Sequence, residues 1–180
     1  MNTATLPLNK IRTIPILVDI ASLVVYYSIA TIVLMRCDMK IKVLDGSNYF
    51  RGLLLLIRKD REISEPEKEL MGRVGKALGF ETEFCNNAIN EILHNEHITD
   101  TPPEFSTTEL AKKFIKDGLM IASSDGEIDP LEEEWLKATA EKNRLDPNWF
   151  RQEMNNHARG AELSTLLEAD DLTVTHSWAK

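Results

Sequence analysis

Two kinds of apolar pattern run along this chain. The first is continuous: Ile14–Met35 is 22 residues long and carries one charge, Asp19. A helix that crosses a bilayer needs about 20 mainly apolar residues. The Ile, Leu and Val side chains here favour insertion by about 5 kcal/mol, while Asp19, Tyr26, Tyr27, Ser22, Ser28 and Thr31 oppose it. Lys10 and Arg12 precede the run, and Arg36, Lys40, Lys42 and Arg51 follow it. For an inserted segment, that bias places the C-terminal domain in the cytoplasm. Three readings stay open for residues 1–38: a membrane anchor, a buried core helix, or an upstream extension that is not made, with Met35 or Met39 as the start.

The second pattern has the 3.6-residue period of amphipathic helices. It predicts a helix over Tyr49–Lys59, with Leu53, Leu54, Leu56 and Ile57 inward. Ser64-x-x-Glu67 forms a capping box that opens a second helix, which Gly79 stops near Leu78. A third helix is expected over Glu81–His94, with Phe84, Ala88, Ile89, Ile92 and Leu93 on one side. Pro102-Pro103 marks a linker within Thr99–Thr107. Beyond it, Ser106-x-x-Glu109 predicts a cap for a helix running to Ser123. Asp129-Pro130 with Glu132 predicts another helix start, and Asp146-Pro147 a third. A polar C-terminal tail over 159–180, with a short helix around Ala161–Ala169 and a frayed end beyond it, completes the expectation, with no strand anywhere.

The helical pattern is duplicated. A gap-free shift of 65 residues lays Asp60-Arg61-Glu62-Ile63-Ser64 on Asp125-Gly126-Glu127-Ile128-Asp129, and Glu67 on Glu132. Leu54, Leu55 and Leu56 fall on Leu119, Met120 and Ile121, and Phe80 and Phe84 fall on Leu145 and Trp149. Such a repeat reads as two packed supersecondary units. The expected fold is therefore all-α: a helical bundle of two similar three-helix repeats, about 49–94 and 109–157, within a domain over 45–158. A separate hydrophobic N-terminal helix precedes it.

Charge divides the same way. Residues 1–59 carry eight Lys/Arg against three Asp, a net of +5, whereas 60–180 carry thirteen against twenty-six acidic residues, a net of −13. The whole chain stands at −8, which argues against nucleic acid as a partner. An acidic domain faces cations or basic partners, or is simply kept soluble. Two cysteines, Cys37 and Cys85, make no disulfide framework.

The duplicated turns concentrate this charge. Asp60, Glu62, Asp125, Glu127, Asp129 and Glu132, with Glu67 as a helper, are candidate oxygen ligands for a hard divalent cation of the Ca²⁺ or Mg²⁺ class. With Asp125 at the fifth position of an EF-hand loop, Gly126 and Glu132 fit the sixth and twelfth, but Ile121 and Ser123 fail the first and third. The competing reading is structural: Asp and Ser cap helices, and early Glu residues suit the positive helix end. A third candidate is Glu91-x-x-His94, the spacing of carboxylate-bridged di-iron bundles, although no second copy of it exists near Asn156–Arg159. Cys85 reads as a half-buried structural thiol. No phosphate loop, nucleophile motif or catalytic constellation is present.

Asp125-Gly-Glu-Ile-Asp-Pro-x-Glu132 between two amphipathic helices, repeated as Asp60-Arg-Glu-Ile-Ser-Glu-Pro-Glu67, resembles the tellurite-resistance TerB-like superfamily over Tyr49–Asn155. The resemblance implies a bundle of two similar halves and a non-enzymatic, bacterial stress-response module, with some members tethered to the inner membrane. It implies metal binding through Asp60, Glu62, Asp125, Glu127 and Asp129, assisted by Glu67 and Glu132. Arg61 departs from the family's glycine in the first turn. The expected partners are a protein, and a membrane through residues 14–35, with a homo-oligomer open. The alternatives are a purely structural or oligomerising scaffold whose acidic turns are caps, and a di-iron enzyme.

Overall fold

A computed structural model describes residues 38–175, apart from 60, 96–97, 127 and 159–165. The hydrophobic segment 14–35 lies outside the described residues, as do Asp60, Glu127, Arg159 and most of the expected helix around Ala161–Ala169. The described residues belong to one unit of the chain. They run as strand β1 (Met39–Lys42) and helices α1 (Val43–Ile57), α2 (Glu65–Ala77), α3 (Thr82–Glu91), α4 (Thr108–Ala122), α5 (Pro130–Lys142) and α6 (Pro147–Ala158). A 3₁₀ turn (Glu168–Asp171) and strand β2 (Leu172–Thr175) follow. The fold is mostly helical, as expected. Among the described residues no helix is long and apolar enough to cross a membrane.

Helices α1 and α4 carry the centre of the core. Tyr49, Leu53, Leu56 and Ile57 of α1 and Leu110, Phe114, Ile115, Leu119 and Ile121 of α4 are fully buried. Tyr49 and Phe114 meet edge-to-face at 5.2 Å between ring centroids. Trp135 and Leu136 of α5 and Met71 and Val74 of α2 close over this layer. Burying side chains of this size favours the fold by about 1.5–3 kcal/mol each before entropy is counted.

Helix α1 begins at Val43, six residues before the predicted start at Tyr49. Asp45-Gly-Ser-Asn48 reads as a turn, yet it is helical because its side chains have tertiary partners. The buried Asp45 carboxylate accepts from the Ser106 backbone N–H at 3.0 Å and from the Ser106 hydroxyl at 2.8 Å. That use of Ser106 corrects the predicted cap of α4. The cap is Thr107, whose hydroxyl accepts from the Leu110 N–H. The linker is held at its other side by buried Asn143, which accepts from Phe105 N–H and donates to the carbonyl of Pro103, each at 2.9 Å. Helix α3 is shorter than predicted, ending at Glu91, and two of its expected core residues, Phe84 and Leu93, are exposed.

The expectation of no strand and a frayed tail is corrected. Leu172–Thr175 pairs in parallel with Met39–Lys42, Met39 opposite Leu172 and Lys42 opposite Thr175. Leu167, Ala169 and Leu172 are buried, so residues 167–172 complete the core. Four-residue strands of this composition carry too little alternation to be seen in the sequence.

Candidate functional site

The two acidic turns are built by the same means. In the first, Arg61 takes the left-handed backbone region at φ 67°, and its N–H donates to the Arg58 carbonyl. In the second, Gly126 sits at φ 120° and donates to Ser123. Each turn then opens a helix through a capping box. Ser64 N–H donates to the Glu67 carboxylate at 2.7 Å, and Glu67 N–H donates to the Ser64 hydroxyl at 3.3 Å. Asp129 N–H donates to the Glu132 carboxylate at 3.2 Å, and the Asp129 carboxylate accepts from Leu131 N–H at 2.7 Å. Pro66 and Pro130 stand in the first turns of α2 and α5, where a missing N–H costs nothing.

These bonds assign the candidate ligands. Glu67 and Glu132 are buried against their helices, and each turns a carboxylate oxygen to a backbone N–H. Asp129 is half-buried and spends one oxygen on its own helix start. Glu62 and Asp125 are exposed at the turn tips. Asp60 and Glu127 fall outside the described residues. Among the described residues, no three His, Cys, Asp or Glu side chains converge as a metal set. Ile121, the first position of the partial EF-hand match, is fully buried in the last turn of α4. Glu91 and His94 are both exposed, at and just beyond the end of α3.

Beside the second turn, His157 of α6 lies 3.0 Å from the Ser123 hydroxyl, and burial lowers its pKa below the usual imidazole value. The neighbouring Ser124 Oγ is buried without a hydrogen-bond partner among the described residues. Behind the first turn, the Lys59 ammonium lies 5.5 Å over the Trp135 ring and pairs with Asp100.

The most strongly perturbed carboxylate lies elsewhere. Asp117 of α4 is fully buried and accepts three hydrogen bonds: from the Tyr49 hydroxyl at 2.7 Å, Glu168 N–H at 2.6 Å and Ala169 N–H at 2.9 Å. Burial outweighs these donors and pushes its carboxyl up to about 7, with the Glu168 charge acting in the same direction. Burial, then the Asp117 carboxylate, raises the Tyr49 phenol well above its usual value. Glu168 is the reverse case: burial works to raise it, but the Lys113 and Lys116 ammoniums beside it hold it below the usual carboxylate range. Sequence reading passed over Asp117. The signal was a lone acid at a core-facing position, three residues after Phe114 and two before Leu119.

Comparison of the chain with family models, curated proteins and solved structures gives no match.

Proposed function

We propose that this chain is a non-enzymatic TerB-like module of two three-helix repeats that works through its acidic face. The observation that carries the reading is the register of the two halves. Helices α1 and α4 begin and end 65 residues apart, as do α2 and α5. Among the described residues, those with positive φ follow the same spacing: Arg61 with Gly126, and Gly79 with Arg144. The capping boxes of α2 and α5 do so as well. The repeat is thus supported by backbone conformation in addition to residue type.

In this reading Glu67, Asp129 and Glu132 have mainly a capping task. Glu62 and Asp125 are the exposed acids at the turn tips, offered to a divalent cation or to a basic protein surface. A negative surface attracts either by long-range Coulomb forces that salt weakens. The test is thermal unfolding of the chelator-stripped chain, titrated with Ca²⁺, Mg²⁺, Mn²⁺ and Zn²⁺. An ion present at 100 times its Kd raises stability by about 2.7 kcal/mol. A saturable shift that Asp125→Ala removes assigns the turns to cations. The absence of any shift at millimolar ion concentrations leaves the protein partner as the reading, and the acidic tips are then tested by salt-dependent capture of that partner.

A further inference from the structure

We propose that Leu166–Thr175 is a detachable strap clipped to the bundle by Asp117, and that it docks less firmly once Asp117 gives up its proton. The strap packs on α1, α2 and α4 through the 3₁₀ turn and β2. Its backbone is gripped at one point from below: the N–H groups of Glu168 and Ala169 both end on the Asp117 carboxylate. Its far end is held by the parallel pairing of β2 with β1 and by the Thr175 hydroxyl on the Ile41 carbonyl.

The groups facing Asp117 decide the sign. Helix α1 contributes Tyr49, whose hydroxyl donates to it. The 3₁₀ turn contributes Glu168, whose charge opposes ionisation of Asp117, and the Glu168 and Ala169 N–H groups, which favour ionisation but are outweighed by burial. On its own helix, Lys113 and Lys116 pair with Glu168, and Lys113 also lies 3.6 Å from Asp171. Helix α2 contributes Arg73, which lies 3.8 Å from Asp170. The lysines and the arginine therefore pair with the strap's own acids. Ionised Asp117 keeps hydrogen bonds but gains no described ion pair, and with the strap docked it is fully buried with the strap backbone directly on it. A carboxylate buried this way binds its proton more tightly with the strap docked than with the strap lifted. Docking is then strongest with Asp117 protonated and weakens as pH rises to about 7. Above that value the docked state is ionised too, and the dependence levels off.

Opening would reach the other end of the chain. The strand that β2 releases starts at Met39, four residues after the apolar run ends at Met35. A proton on Asp117 would thereby govern how firmly β1 is tied down.

The test is hydrogen exchange of the full chain from pH 5 to 8, with protection corrected for intrinsic exchange. Protection of Leu166–Thr175 is expected to fall by up to about tenfold per pH unit until pH 7 and then to level off. The Phe114–Ile121 amides should keep their protection. Asp117→Asn removes the titration and should give a flat profile, at lower overall protection because its amide nitrogen cannot accept from the donors around it. Protection that is constant or rises with pH in the unaltered chain overturns the proposal, as does a slope that persists in Asp117→Asn. If Asp117→Asn fails to fold, Tyr49→Phe decides. It removes one donor from the carboxylate and should move the levelling point to higher pH, and an unmoved levelling point contradicts the mechanism.

Discussion

The helix pair α2–α3 closes tightly, whereas the pair α5–α6 stands open. Between α2 and α3, Gly75 faces Cys85 so closely that a methyl group on Gly75 would run into the thiol sulfur, with the Phe50 ring 3.1 Å away on another side. In the proposed register the corresponding residues of the second half are Ala140 and Phe150. There the helices leave a groove of about 430 Å³, lined by Lys137, Ala140, Leu145, Phe150 and Met154 among others. A glycine opposite a small thiol lets two helices approach, and an alanine opposite a phenylalanine keeps them apart. In the proposed register, halves whose first two helices match in length thus diverge through single side-chain volumes at the contact of the second and third helices.

Gly75→Ala should have the largest effect on that contrast. Overpacking is expected to cost about 1–3 kcal/mol, even though alanine is the better helix former. Adding Cys85→Ala should restore most of the loss, as coupled neighbours do. Urea unfolding of the two single variants and the double variant measures this. Simple addition of the two losses would mean that Gly75 and Cys85 do not set the spacing. Cys85 itself is buried, and burial raises its thiol pKa, as for a structural residue.

What the sequence made legible follows from the range of the forces involved. Both capping boxes, the stop at Gly79 and the Pro102-Pro103 linker are local signals, readable within four residues. The start of α1 at Val43 was hidden because Asp45 and Gly46 resemble a turn. Asp45 is held by Ser106, 61 residues away, and Gly46 faces Val174, where an added methyl would lie 3.1 Å from its side chain. The β1–β2 pair joins residues more than 130 positions apart, a distance over which periodicity says nothing. Asp117 was passed over because an acid amid apolar residues attracts notice only when a buried partner is in view, and here Tyr49 and two backbone N–H groups are the partners. Of the candidate ligands, the sequence displayed Glu67, Asp129 and Glu132 at helix starts, but not that Glu67 and Glu132 are buried there.

The turns offer a smaller contrast. Arg61 and Gly126 occupy equivalent positions in the proposed register, and both have positive φ. An L-residue pays about 1 kcal/mol for that conformation, and glycine does not. Arg61→Gly should therefore raise stability by up to about 1 kcal/mol, and Gly126→Ala should lower it by about the same or more. Thermal melts of both variants check the opposite signs. Equal signs would mean that the two turns do not share one backbone design.

The division of labour within those turns is the central claim, and one variant tests it most directly. Glu67→Gln, Asp129→Asn and Glu132→Gln together remove three charges and preserve the capping geometry, since Asn caps as well as Asp and Gln serves in a capping box. In the chelator-stripped chain, stability by urea unfolding should stay within about 1 kcal/mol of the original, the loss reflecting only the helix dipole. A clear gain in stability would contradict the account. It would mean that these carboxylates repel one another as the ligands of an absent cation do, and that capping is not their principal role.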